Sequence, residues 1–162
     1  MITFVWAEDE NGLIGKNGEL PWHLPADMQF FKEVTLTGDV VMGRKTLDSI
    51  PNPPLKKREN FVLTSNPSFD LEGIHVCHSK KEILDKTEDS KKPLHVIGGV
   101  SLFELFIDDV DMLYRTVIHD SFEGDTYMPA IDYSQFELIE EKKGAVDAKN
   151  KHPHTFQIFK RK

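Results

Sequence analysis

The chain of 162 residues carries 27 acidic and 20 basic side chains, a formal net charge of −7, and its length suits one domain of about 100–200 residues. An apolar share of 39% and a charged share of 29% exclude a disordered or fibrous chain. The acidic balance argues against broad nucleic-acid binding, which needs a basic face, and no apolar run approaches the ~18 residues that cross a bilayer. No basic stretch precedes an apolar one at the N-terminus, and the lone Cys77 cannot close an intrachain disulfide. A single untargeted domain of the cytoplasm is expected, with neither membrane nor nucleic acid as a partner.

In chain order, Ile2-Thr3-Phe4-Val5-Trp6-Ala7 reads as a buried strand. Glu8 to Leu20, with Gly12, Gly15 and Gly18, reads as a loop long enough to be functional. Leu24-Pro25-Ala26-Asp27 opens a helix with proline in its first turn, and that helix ends in the polar turn Thr35 to Asp39. Val40-Val41-Met42 is a short strand, followed at Arg44-Lys45-Thr46 by a helix start. Pro51, Pro53 and Pro54 stiffen the next loop. Phe61 to Thr64 and Ile74 to Cys77 are strands, and Ser79-Lys80-Lys81-Glu82 spells a capping box for a helix towards Thr87. Leu94 to Ile97 is a strand stopped by Gly98-Gly99, with an apolar helix around Leu102, Phe103 and Phe106 behind it. Met112 to Ile118, Phe136 to Lys142 and Thr155 to Lys160 are late strands. Alternation followed by strands alone implies an α/β fold, mostly parallel with an antiparallel edge. Ligands in such sheets bind at strand carboxyl ends near a switch in strand order, here Ala7, Gly43, Thr64 and Gly98.

Three constellations carry chemistry. Asp27, Met28 and Phe31 project from one side of a helix, so the Asp27 carboxyl either sits desolvated among apolar groups with a raised pKa or merely complements the helix dipole. Gly43-Arg44-Lys45-Thr46, with Thr64-Ser65 at the next strand end, is either a phosphate site or an exposed basic helix start. Gly98-Gly99 is either a close backbone approach to a ligand or a tight turn; GxGxxG is absent. His75, Cys77 and His78, like His152 and His154, lack metal-site spacing, so no metal is expected. No GxSxG elbow surrounds Ser49, Ser65 or Ser101.

Taken together, Gly12-Leu13-Ile14-Gly15, Leu20-Pro21-Trp22-His23-Leu24-Pro25-Ala26-Asp27, Val41-Met42-Gly43-Arg44-Lys45-Thr46, Ile97-Gly98-Gly99 and Phe122-Glu123-Gly124-Asp125-Thr126 resemble the bacterial dihydrofolate reductases over the whole chain. The resemblance implies an eight-stranded, mainly parallel mixed sheet with an antiparallel C-terminal edge strand, flanked by four helices. It implies one domain over 1–162, containing an adenosine-binding subdomain over about 39–91. It also implies a monomer that passes a hydride from NADPH to 7,8-dihydrofolate, giving tetrahydrofolate, and that binds diaminopyrimidine and pteridine antifolates.

By the same resemblance, Asp27 is the active-site carboxylate on the pterin, Thr116 supports it, and Trp22 and Leu20 complete the catalytic region. Val5, Trp6, Ala7, Met28, Phe31, Ile50 and Leu55 would line the substrate, and Arg58 would bind its glutamate, with Lys56 and Lys57 as the alternatives. Ala7, Ile14, Gly15, Gly18 and Leu20 would meet the nicotinamide, residues 15 to 20 forming the covering loop. Gly43, Lys45 and Thr46 would hold the pyrophosphate. Arg44, Leu63, Thr64 and Ser65 would hold the adenosine 2′-phosphate region. Ile97, Gly98, Gly99, Val100, Ser101, Leu102, Phe103 and Thr126 would complete the cofactor cleft, the Gly98–Gly99 peptide being cis. Ser101 stands where some relatives place arginine, and the proline loop is one residue longer than in some. The rival readings are a reductase of the same fold acting on a riboflavin precursor and a nucleotide-binding module without catalysis.

Overall fold

In the computed structural model, which describes residues 1–162, Ile2–Glu8 (β1) runs through the middle of an eight-stranded sheet. The other strands are Asp39–Gly43 (β3), Asn60–Leu63 (β4), Ile74–Cys77 (β5), Leu94–Val96 (β6), Met112–Ile118 (β7), Phe136–Lys143 (β9) and His154–Arg161 (β10). Their order is β5-β4-β3-β6-β1-β7-β10-β9. All pairings from β5 to β7 are parallel, whereas β10 is antiparallel to β7 and to β9. The antiparallel C-terminal strand therefore lies one place in from the edge, and β9 forms the edge itself. After β1 the chain leaves a gap, builds β3 to β5 outward, and returns to insert β6 beside β1. The carboxyl ends of β1, β3 and β6 consequently border one crevice, the switch point expected of such sheets.

The stretch read as a loop from Glu8 to Leu20 is partly ordered as strand. β1 extends through Glu8, and Leu13–Gly15 (β2) pairs antiparallel with Thr126–Tyr127 (β8). Three residues separated by glycines carry too little alternation to show a strand, and the partner lies over 100 positions away. Asp9 to Gly12 and Lys16 to Leu20 remain turns, the second closed by Lys16 N–H to Glu19 O at 2.8 Å and Glu19 N–H to Lys16 O at 3.0 Å.

Four helices cover the sheet: Pro25–Thr35 (α1), Arg44–Ser49 (α2), Lys80–Thr87 (α3) and Val100–Phe106 (α4). Alternation along the strands divides their partners. Phe4, Trp6, Val41, Phe61 and Val96 face Ile83 of α3 and Leu102, Phe103 and Phe106 of α4. Val40, Met42 and Val62 face Leu47 of α2, and Ala7 packs with Trp22, Leu24 and Ile118. Phe4, Phe103 and Phe106 are essentially fully buried, each contributing about 1.5–3 kcal/mol by removal from water. The capping box at α3 forms with a variation. Ser79 Oγ accepts from Glu82 N–H at 3.1 Å, but Glu82 reaches back to His78 N–H at 2.7 Å, one residue beyond the cap.

Candidate active site

α1 has Pro25 at its first turn and no side-chain cap at Leu24. The missing cap comes from Asn150, whose Oδ1 accepts Ala26 N–H at 2.8 Å. Over the sheet, α1 is fixed by Phe30 stacking on Phe156 of β10 with centroids 4.7 Å apart. Phe156 pairs with Thr116 of β7, and Thr116 with Ala7 of β1, so this register brings Asp27 onto the face bearing Ala7 and Thr116.

Asp27 is 8% exposed and makes no ion pair. Burial pushes its carboxyl above the usual aspartate range, while the Thr116 hydroxyl and the His154 ring pull it partly back. Thr116 Oγ1 is buried yet has no hydrogen-bond partner of normal length, and so is Trp22 Nε1. A desolvated carboxyl without an ion pair is costly to stability, and so is each buried polar atom left without a partner. It is suited to a ligand that brings its own donors and acceptors. Asp27 lies in the first turn of α1, but its burial goes beyond what a solvated dipole complement needs.

The spacing placed Asp27, Met28 and Phe31 on one side of the helix, and the structure corrects this. Asp27 is buried and Phe31 half-buried, but Met28 is 56% exposed, since adjacent helical residues diverge by about a quarter-turn or more. Val5 and Ala7 share the Asp27 face. The Trp6 side chain lies on the other face, 6.2 Å from the Phe103 ring, so only its backbone is available on the Asp27 side. Leu102 and Phe103 are likewise core residues.

At the other end of α1, Arg58 donates from Nη1 to Thr35 Oγ1 at 2.9 Å and from Nε to Lys56 O at 2.8 Å. Lys56 and Lys57 are exposed. Asn60, which sequence reading missed, holds this loop. Its Oδ1 accepts Leu55 N–H at 2.9 Å, and its Nδ2 donates to Leu55 O and Arg58 O at 2.9 and 2.7 Å. Leu55 and Ile50 pack on the Val40–Met42–Leu47–Val62 cluster.

The crevice floor is made by Gly43 and Gly98, joined by Gly43 N–H to Gly98 O at 2.8 Å. The Gly98–Gly99 peptide is cis, and Gly98 has φ +133°, a conformation L side chains avoid. An added Cβ there would also crowd Thr46 Oγ1 at 3.2 Å. Ile97, Val100, Leu63 and Thr64 are half-buried around this floor, while Arg44, Lys45, Ser65 and Ser101 are exposed. On the far side, Ile14 is half-buried against the core, and Gly15 O accepts Asp125 N–H at 3.1 Å beside Thr126. Asp125 in turn accepts Asn17 N–H at 3.0 Å, while Gly18 (φ +80°) and the exposed Leu20 form the turn above.

Asp9 was overlooked in the sequence, and His154 was weighed there only as a metal ligand. Asp9 accepts Asn11 and Leu13 N–H through Oδ1 and Phe122 N–H through Oδ2, each at 2.9 Å, tying the β1–β2 turn to Phe122. His154 is buried with Nδ1 on His152 O at 2.8 Å, leaving Nε2 unpartnered. The Asp9–Asn11 and Asp9–Leu13 bonds are local, but the Phe122 contact that ties Asp9 to a distant segment has no local signature. No group of three or more His, Cys, Asp or Glu side chains gathers as a metal site would, and no helix is long and apolar enough to cross a membrane.

A mixed α/β sheet with a glycine-floored crevice at its switch point, a basic helix start on one side and a buried carboxyl on the other, defines a nucleotide-dependent oxidoreductase. The sequence matches the dihydrofolate reductase family over residues 1–161. It is 41% identical over 162 residues to the dihydrofolate reductase of Enterococcus faecium, covering 99% of this chain and 97% of that one. It is also 41% identical to that of Bacillus subtilis, covering 100% and 95%. A solved structure, dihydrofolate reductase from Enterococcus faecalis complexed with NADP(H) and RAB-propyl, superposes with a TM-score of 0.94 at 44% identity, covering 99% of this chain and 96% of that one. The chain belongs to the dihydrofolate reductase family.

Proposed function

We infer that this chain reduces 7,8-dihydrofolate to tetrahydrofolate with NADPH, and that Asp27 is the residue on which the chemistry turns. The observation that carries the reading is the buried Asp27 carboxyl, without an ion pair and with the Thr116 hydroxyl as its neighbour. A pterin offers that carboxyl an amino group and a ring N–H, and a diaminopyrimidine or pteridine antifolate offers the same fork. NADPH supplies the hydride when bound. The residues present fit it: Gly43, Gly98 and Gly99 leave room for close backbone approach, and Arg44, Thr64 and Ser65 offer donors for a phosphate.

Asp27 accepts the pterin N–H groups and polarises the ring, so that an ordered water delivers the proton to N5. Burial raises the carboxyl pKa, and the pterin N–H groups offset that desolvation by hydrogen-bonding the charged form. Val5, Ala7, Phe31, Ile50 and Leu55 supply apolar walls that exclude bulk water. Arg58, whose Nη2 has no protein partner, takes the substrate's carboxylate. Ile14, Gly15 and Leu20 close over the reacting ring, and residues 39–91 act as the adenosine-binding unit. The enzyme works as a cytoplasmic monomer.

Loss of absorbance at the nicotinamide band, with NADPH and dihydrofolate supplied, measures the activity. Asp27→Asn lowers it by ~10²–10⁴-fold at neutral pH, the usual range for a positioned acid or base, with part of the loss recovered in acid. Near-full activity at pH 7 would remove Asp27 from the mechanism.

A further inference from the structure

Arg44 does not stand free on α2. Its guanidinium carbon lies 4.0 Å from the centroid of the Phe69 ring, and its Nε donates to Asp48 Oδ1 at 3.1 Å. The stack covers one face and the ion pair occupies the inner nitrogen, which leaves Nη1 and Nη2 without a protein partner. Phe69 is itself seated. Its ring packs on the Val40–Met42–Leu47–Val62 cluster, and its N–H donates to Asn66 O at 3.3 Å. Asn66 is in turn held by Thr64 Oγ1 at 3.2 Å, at the end of β4. Arg44, Asn66, Ser68 and Phe69 line an open groove of about 500 Å³.

We propose that Phe69 is a specificity-determining positioning residue: its ring holds the Arg44 guanidinium ready for the phosphate that distinguishes NADPH from NADH. The proposal rests on the reading of Arg44 as the partner of that phosphate. An exposed arginine must otherwise be immobilised when its ligand binds, and a stacked one has been ordered beforehand. A stack at an exposed site contributes roughly two- to five-fold in affinity. This contribution is spent only on a ligand that engages Arg44, so it appears in NADPH binding and not in NADH binding.

Dissociation constants for NADPH and NADH, measured by calorimetry on the full chain without substrate, test this. Phe69→Leu, which keeps apolar volume but removes the π face, lowers the NADPH/NADH preference about two- to five-fold with NADH affinity unchanged. Phe69→Tyr restores the preference. In an Arg44→Ala background, where the preference has already collapsed, Phe69→Leu changes it no further. Equal weakening of both cofactors by Phe69→Leu, or the same loss of preference with Arg44 removed, would overturn the proposal. If Arg44→Ala itself leaves the preference intact, the phosphate reading of Arg44 fails, and that outcome is distinct from an intact preference in Phe69→Leu alone.

Discussion

His95 in β6 should make the protein acid-labile by a calculable amount. The side chain is 1% exposed, with Thr3 Oγ1 on Nδ1 and Thr37 Oγ1 on Nε2. Thr37 donates its hydroxyl hydrogen to Val34 O at 2.6 Å, so it accepts from Nε2–H. Nδ1 is then the bare acceptor of the Thr3 hydroxyl. Burial lowers the pKa from 6.5 to about 4, because a charged ring would lose its solvation and Thr3 would have to reverse its hydrogen bond. The unfolded chain therefore binds a proton that the folded chain refuses between these two values. Stability is fully present above pH 6.5 and is lost as pH falls, by about 2 kcal/mol at pH 5 and about 3 kcal/mol below pH 4. Urea unfolding from pH 8 to pH 5 measures it, with His95→Gln as the non-titrating reference. The two stability curves should converge by about 2 kcal/mol over that interval, whatever the variant costs at pH 8. Parallel curves would show that His95 does not carry the effect.

Arg58→Leu raises the KM for dihydrofolate while leaving kcat nearly unchanged, since a tail far from the reacting carbons contributes uniform binding; diaminopyrimidines, which lack the tail, keep their affinity, and a normal KM would reassign the carboxylate partner. Gly144→Ala drives a methyl into the buried His154 ring and costs about 1–3 kcal/mol by overpacking, seen as a drop in calorimetric Tm of roughly 2–12 °C. An unchanged Tm would mean that the β9–β10 contact yields freely.

Features held within a few residues were legible in the sequence: Pro25 opening α1, the Ser79–Glu82 pair at α3, the buried runs of β1, β3 and β6, and the glycine pair at 98 and 99. The sequence resemblance also implied roles for Asp27, Arg44, Arg58 and Thr116. Whether Asp27 is a solvated helix-dipole partner or a desolvated acid was not decidable there. That depends on Thr116, set beside it by the pairing of β7 with β1, and on Phe156 of β10, against which Phe30 fixes α1. The cap of α1 comes from Asn150, 124 residues away. The β2 strand exists because β8 pairs with it, and the Arg44 guanidinium lies over a ring because Phe69 returns from the turn after β4. A local pattern records what neighbouring residues do to one another's backbone. Desolvation, cross-strand pairing and side-chain stacking depend on which distant segments share a volume, and only the tertiary structure decides that.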